Sequence, residues 1–250
     1  MRRILSLAVV VLLLVSLPAF AITYGQPDGK RHPNVGALVG HFSSGTFPYC
    51  SGTLISPTVF LTAAHCDLGR SRVFVTFDSE FSSNSKLLSG TYYPDPLYNF
   101  AQDDPHDIAV VVLDQPVKGI TPVRLPAAGA LGTLSVGQQF TAVGYGAQEP
   151  VNGPGGPTLA SYDIREFSVA SLNAINPAWL RLSQNQATGD GGTCYGDSGG
   201  PNFVGAGATE TNIVAGITVT GDMFCKATNV TYRTDTPSAR NFLSGFVALP

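Results

Sequence analysis

Ser198 stands in Gly196-Asp197-Ser198-Gly199-Gly200, a run of three glycines around one serine. Glycine takes backbone conformations that bulkier residues resist, so this pentapeptide can turn sharply. Such a turn can hold a hydroxyl outward and leave backbone N–H groups unpaired and convergent, which is what a nucleophile beside an oxyanion hole requires. A serine nucleophile also needs a base. The chain has four histidines: His32, His41, His65 and His106. His65 lies in Leu61-Thr62-Ala63-Ala64-His65-Cys66, where small alanines permit close approach and Cys66 can tie the loop down. Asp107 heads Asp107-Ile108-Ala109-Val110-Val111-Val112-Leu113, which puts a carboxylate at the mouth of a buried strand. An unpaired charge there is costly, and an imidazole N–H would relieve it. His106 ranks below His65 as the base, because the strand turns a direct neighbour of Asp107 elsewhere. Each residue also has a plainer reading: a glycine–serine turn, a satisfied core histidine, a strand-start cap.

Chain order separates the chemistries. The pentapeptide fits G-x-S-x-G, the nucleophile elbow of α/β-hydrolases, but that fold needs the histidine after the serine. All four histidines precede Ser198. The order acid, histidine, serine would rest on Asp28 alone, within a Pro-Asp-Gly turn. Histidine, aspartate, serine remains: His65, Asp107, Ser198.

The elements that must position these groups are short strands. Gly (28) and Pro (18) break the 250-residue chain every few residues, and runs rich in Val, Ile, Thr and Phe recur between them. The spacing predicts strands at Val35–Val39, Thr53–Ile55, Val73–Phe77, Ile108–Leu113, Phe140–Val143 and Ile213–Thr220. Regular short strands of this kind indicate antiparallel barrels or sandwiches. Thr236-Pro237 caps a predicted helix over Pro237–Val247, with Phe242, Leu243 and Phe246 on its apolar face. Pro116–Leu131 reads as the connection between two halves, and Gln148–Pro157 as an exposed loop.

Met1–Ala21 has the form of a secretory leader: Arg2 and Arg3, an apolar run, and Pro18-Ala19-Phe20-Ala21 as an A-x-A cleavage site. The alternative is a membrane anchor, but the run is short of the ~20 residues a span needs. Cleavage leaves residues 22–250 and moves the formal net charge from −3 to −5, since two of the 14 basic residues go and all 17 acidic ones stay. No basic cluster survives, so nucleic acid is not an expected partner. Secretion is expected, with the periplasm as an alternative compartment, and no membrane association after cleavage. Four cysteines in an exported chain indicate two disulfides. Of the three pairings, the sequence-local one, Cys50–Cys66 with Cys194–Cys225, is favoured. Zinc is the rival reading, weakened by the lack of a C-x-x-C pair. No cofactor or metal is expected; Asp78 and Glu80 are too isolated for calcium. Asn229-Val230-Thr231 is a glycosylation sequon.

Four motifs together resemble the chymotrypsin/trypsin family: Cys50-Ser51-Gly52-Thr53-Leu54-Ile55-Ser56, Leu61 to Cys66, Asp107-Ile108-Ala109-Val110, and Gly196 to Gly200. They come in the family's order with similar gaps, 42 residues from His65 to Asp107 and 91 on to Ser198. Gly144-Tyr145-Gly146 is similar to the family's Gly-Trp-Gly segment. The resemblance spans nearly the whole chain after the leader. It implies two six-stranded antiparallel β-barrels, an all-β fold with a C-terminal helix. Barrel 1 would take about residues 22–125 and barrel 2 about 126–235, with the substrate in the cleft between them. It implies a serine endopeptidase with His65 as base, Asp107 orienting it, Ser198 as nucleophile, and the N–H groups of Gly196 and Ser198 as oxyanion hole. Polypeptide substrates and protein protease inhibitors are the implied partners, and a monomer is expected. Ile22-Thr23-Tyr24-Gly25 resembles the family's activated N-terminus, whose α-amino group would pair with Asp197. Gly192 and Thr193 would floor the primary pocket, Val219-Thr220-Gly221 would pair with substrate backbone, and Cys194–Cys225 would brace the walls. With no acid at 192, and with Val230 or Thr231 shortening the pocket, an uncharged, small to medium P1 residue is expected; Asp190 and Asp222 could still favour a basic one. A non-catalytic binding protein and an esterase are the rival functions on the same residues.

Overall fold

The computed structural model describes residues 22–101, 103–148, 151–154, 156–159 and 163–250. The leader and the last residues before its expected cleavage point lie outside them. The strands, in chain order, are β1 (Gln26–Pro27), β2 (Val35–Phe42), β3 (Gly45–Ser56), β4 (Val59–Thr62), β5 (Arg72–Thr76), β6 (Leu88–Pro94), β7 (Ala109–Leu113), β8 (Gln139–Gly144), β9 (Val151–Gly153), β10 (Gly156–Thr158), β11 (Glu166–Ile175), β12 (Trp179–Ser183), β13 (Pro201–Val204), β14 (Val214–Gly221) and β15 (Thr228–Arg233). One helix, α1 (Pro237–Leu243), ends the fold.

Strands β2, β3, β4, β7, β6 and β5 close into one antiparallel barrel. Strands β8, β11, β12, β15, β14 and β13 form a second, closed by the β8–β11 and β8–β13 pairings. Closure leaves neither barrel an open edge. The expected pair of six-stranded barrels is present. Each of the six sequence-marked strands overlaps an observed one; Phe77, Ile108 and Ile213 fall one residue outside β5, β7 and β14. The unmarked ones are less apolar: in β11 the inward residues are Glu166, Ser168, Ala170 and Leu172, two of them polar and one small. Residues 22–27 belong with the second barrel rather than the first, since β1 pairs with β11 and Thr23 bridges Gly192.

β7 explains why the first barrel holds its shape. Its Ala-Val-Val-Val-Leu run is buried on nearly every residue and lies between β4 and β6. Such a run favours a strand covered on both faces. The barrels meet across polar contacts as well as packing. Arg165 is buried and donates to Asp28 Oδ2 (2.7 Å), the carbonyls of Val35, Phe77 and Gly29, and the Tyr145 hydroxyl. Tyr232 Oη donates to Asp104 Oδ1 at 2.6 Å.

α1 starts as the sequence predicts: the Thr236 hydroxyl accepts the Ala239 N–H at 3.3 Å, with Pro237 in the first turn. It is shorter than expected. Beyond Leu243 the bonds tighten to Gly245 N–H to Phe242 O and Phe246 N–H to Leu243 O, and Gly245 is a weak helix former. Gln148 is buried rather than exposed, and β9 and β10 pair as a hairpin within the predicted loop. Within Pro116–Leu131, Arg124 makes an isolated bridge to Ile213, and Ala130 and Leu131 fall in a 3-10 turn (Ala130–Thr133).

Candidate active site

His65 and Asp107 meet because of strand register. β4 and β7 are antiparallel with Thr62 opposite Ala109. The chain leaving β4 and the chain entering β7 therefore share one end of the barrel. His65 falls three residues past that end, in a short 3-10 turn (Ala64–Cys66), and Asp107 two residues before it. The Asp107 carboxylate takes both offers: the His65 backbone N–H donates to Oδ1 at 2.9 Å, and His65 Nδ1 lies 2.8 Å from Oδ2. Asp107 is buried, while the imidazole keeps 28% of its surface exposed, enough to face a substrate. Tyr92 Oη donates to the Ala63 carbonyl, and the Cys50–Cys66 disulfide ties the turn to β3.

Ser198 arrives from the second barrel. Gly196 has φ +99°, a conformation that L side chains rarely adopt. The Ser198 carbonyl accepts the Ser51 N–H at 2.8 Å, and the Gly199 N–H donates to Thr218 O at 2.7 Å. The Ser51 hydroxyl donates to the Gly196 carbonyl at 2.9 Å, and Ser51 Oγ accepts the Tyr145 N–H at 3.0 Å. The turn is thus held by its carbonyls. Among the described residues the N–H groups of Gly196 and Ser198 donate to no protein acceptor.

Asp197, the residue beside Ser198, is fully buried. Its carboxylate accepts the Gly146 N–H and the Cys194 N–H, each at 2.8 Å. Burial pushes its pKa up to about 7, against the downward pull of those two bonds. Gly144 and Gly146 wrap it so closely that a Cβ at either would overlap the carboxylate. Ile22 is buried with φ 62°, and Thr23 O accepts the Gly192 N–H at 2.9 Å. Ile22 reaches the second barrel, but no bond from it to Asp197 is present.

Ser198 and His65 line one cavity of about 330 Å³ with Thr193, Cys194, Tyr195, Thr218, Val219, Thr220, Gly221, Asp222 and Cys225. The Cys194–Cys225 disulfide forms part of its wall. Of the expected pocket residues, Thr193, Val219, Thr220 and Gly221 line it and Gly192 does not. Val230 and Thr231 are not among the residues that line it. Val230 lines a second cavity of about 460 Å³ with Trp179, Tyr98 and Phe100, which also opens at His65. Thr231 instead ends a buried chain: Thr231 Oγ1 donates to Asn229 Oδ1, Asn229 Nδ2 to Asn202 Oδ1, and Asn202 Nδ2 to Thr218 Oγ1. The sequon asparagine is therefore fully buried and closed to glycosylation in the folded chain. Asp190 is bound to Ser171 and Thr188 away from the cavity. Asp222 lines it, but its carboxylate accepts the N–H groups of Lys226, Ala227 and Thr228.

The other histidines are occupied elsewhere: His106 faces Asp95, His41 faces Thr46, and His32 lies between Asp28 and Glu210. Among the described residues, the grouping of metal-ligand types is Cys50, His65 and Cys66, and both sulfurs are in the disulfide. Sequence reasoning gave Ser51 no role of its own: its hydroxyl bonds Gly196 and Tyr145, 145 and 94 residues away in the chain, so no local pattern marks it.

The family described as Trypsin matches residues 28–243. The chain is 28% identical over 225 residues to a trypsin of Phaedon cochleariae, covering 76% of this chain and 83% of that one. It is 33% identical over 166 residues to the beta-fibrinogenase brevinase of Gloydius blomhoffii, covering 61% of this chain and 68% of the relative. It is 34% identical over 176 residues to snake venom serine protease 2B of Craspedocephalus gramineus, covering 64% of each.

Proposed function

From the premise that this chain belongs to the trypsin family, we propose that it is a secreted serine endopeptidase working through Ser198, His65 and Asp107. The observation that carries the reading is the 2.8 Å contact of His65 Nδ1 with buried Asp107, on an imidazole that shares a cavity with Ser198. Asp107 holds the proton on Nδ1, which leaves Nε2 as the base. Nε2 takes the Ser198 proton as the oxygen attacks a peptide carbonyl, then delivers it to the leaving amine. Water reverses the sequence on the acyl-enzyme. The N–H groups of Gly196 and Ser198 receive the oxyanion; one such donor is worth about 2.7–4 kcal/mol in the barrier.

Replacing Ser198 by Ala tests this. The variant is expected to melt with the wild type, to lose at least about 10⁴-fold in turnover, and to lose labelling by a fluorophosphonate. Retained peptide cleavage would refute the assignment.

Two finer readings go with it. A chain cut after Ala21 gains an α-amino group at Ile22, and Asp197 is a buried carboxylate among the described residues with two amide donors and no cation. Ile22, β-branched, also sits at a positive φ that cleavage would release. Removal of the leader would then activate the enzyme without a further propeptide. N-terminal sequencing of active protein that found another first residue would end this idea. The second reading is an uncharged, small to medium P1 side chain: Thr193, Thr218, Val219 and Thr220 of the wall are uncharged, and the carboxylate of Asp222, the acid in that wall, is taken up by three backbone N–H groups.

A further inference from the structure

Ser51, in β3 of the first barrel, is fully buried and grips the nucleophile turn of the second barrel at two points. Its N–H donates to the Ser198 carbonyl at 2.8 Å, and its hydroxyl donates to the Gly196 carbonyl at 2.9 Å. The Tyr145 N–H donates to Oγ at 3.0 Å, which leaves the Gly196 carbonyl as the acceptor for the hydroxyl proton. The Ser51 carbonyl accepts the Thr62 hydroxyl at 2.8 Å. Every polar atom of the residue is committed.

The peptide planes of the turn give this grip a use. A trans peptide points its C=O and N–H in opposite directions, so whatever binds a carbonyl also aims the next residue's N–H. The plane carrying the Gly196 N–H is fixed by the Ala147 N–H on the Tyr195 carbonyl, at 2.7 Å. The plane carrying the Ser198 N–H is fixed by the Gly200 N–H on the Asp197 carbonyl, at 2.8 Å. The Gly196–Asp197 peptide joins the two and so sets the angle between these oxyanion donors. It follows a glycine at φ +99°, which has no side chain to restrain it. Its N–H end is tied within the turn, to Cys194 O at 3.0 Å, and its carbonyl end is tied by the Ser51 hydroxyl of the other barrel. Cys50 precedes Ser51 and Cys66 follows His65, so the Cys50–Cys66 disulfide joins this clamp and the imidazole in one frame.

We propose that Ser51 is a positioning residue for catalysis: its hydroxyl sets the oxyanion donors of the second barrel in register with His65 of the first. This rests on the endopeptidase reading and adds to it a residue that touches neither substrate nor reacting atoms. Donors held in a fixed orientation act on the charge that develops in the transition state and need no reorganisation as it forms. Loss of the hydroxyl therefore weakens the tetrahedral state. Substrate binding is spared, because the cavity wall does not include Ser51.

The test compares Ser51→Ala and Ser51→Gly with the wild type. It uses a peptide substrate found by digesting a mixed protein, a peptide boronate of the same sequence as tetrahedral mimic, and thermal melting. Active sites are counted by fluorophosphonate labelling run to completion. In Ser51→Ala, kcat per labelled site is expected to fall at least about tenfold, with KM within about twofold of the wild type. Boronate affinity should fall by the same factor as kcat/KM. Ser51→Gly leaves space for a water between the Tyr145 N–H and the Gly196 carbonyl, and its kcat should fall at least about threefold with KM again held. A folded variant with wild-type kcat per labelled site overturns the proposal. So does a raised KM with kcat unchanged, which would place Ser51 in substrate binding. Either result leaves the endopeptidase reading intact. If Ser51→Ala fails to fold, Ser51→Gly decides alone; if neither folds, the hydroxyl serves the fold and the proposal falls. A wild type that neither labels nor cleaves removes the endopeptidase reading and this proposal with it.

Discussion

Asp197 shows how much of the site depends on fit at a single residue. Its carboxylate is walled in by Gly144 and Gly146 and shares its backbone with the nucleophile. An alanine methyl at 146 would need the carboxylate to move, and Asp197 cannot move without displacing Ser198. Overpacking of a tight site typically costs about 1–3 kcal/mol. Gly146→Ala is therefore expected to lower stability by about 2 kcal/mol in urea denaturation and to lose fluorophosphonate labelling more severely than that stability change explains. Labelling at the wild-type rate would show that the turn tolerates a shifted Asp197. Ser51 acts by similar means: one hydroxyl orients a carbonyl of the nucleophile turn from the opposite barrel.

At the scale of elements, the site is a matter of strand ends and the staples behind them. The β4–β7 register delivers His65 and Asp107 to one rim, and the Cys50–Cys66 and Cys194–Cys225 disulfides brace the turns that hold His65 and Ser198. The second bridge closes a segment with a sequence separation of 31, for which the chain-entropy account gives about 3–4 kcal/mol. Replacing both Cys194 and Cys225 by Ser should lower stability by about that amount. Because both residues line the cavity, KM should rise more than kcat falls. A proportional loss of kcat with KM unchanged would place the bridge's influence on the nucleophile turn instead. The strands visible in the sequence were those with dense apolar runs, such as β7. Those built from small or polar inward residues, such as β11, were not, because their burial depends on what packs against them.

At the scale of the whole molecule, the N-terminal segment is a component of the second barrel. Thr23 and β1 join it, and Asp28 and His32 tie it to Arg165 and Glu210. This makes the first residue of the chain a thermodynamic variable. With the leader attached, Asp197 has a folded pKa near 7, above its ordinary value of 3.8. The folded chain then binds more protons than the unfolded one between these values. The contribution of this carboxyl to stability is therefore full below about pH 4 and is lost as pH rises to 7, by roughly 4 kcal/mol at most. An α-amino group at Ile22 would pair with the carboxylate and remove that loss. Melting temperatures of the two forms should accordingly converge near pH 4 and separate near pH 7.5, with the chain that begins at Ile22 the more stable. Parallel curves across that range would exclude a role for the new terminus at Asp197.

The sequence by itself determined the reaction class and the fold. Catalytic residue types in a fixed order, set in glycine turns and among short apolar runs, are properties of the chain that survive without coordinates. The family match over residues 28–243 bears on the same features. Tertiary structure alone decided what lies behind the cavity: that Gln184 fills the space at Gly192, that Val230 faces the second cavity, that Asn229 is buried, and that Ser51 reaches across to Gly196. Each depends on how the elements pack together, which no local pattern encodes.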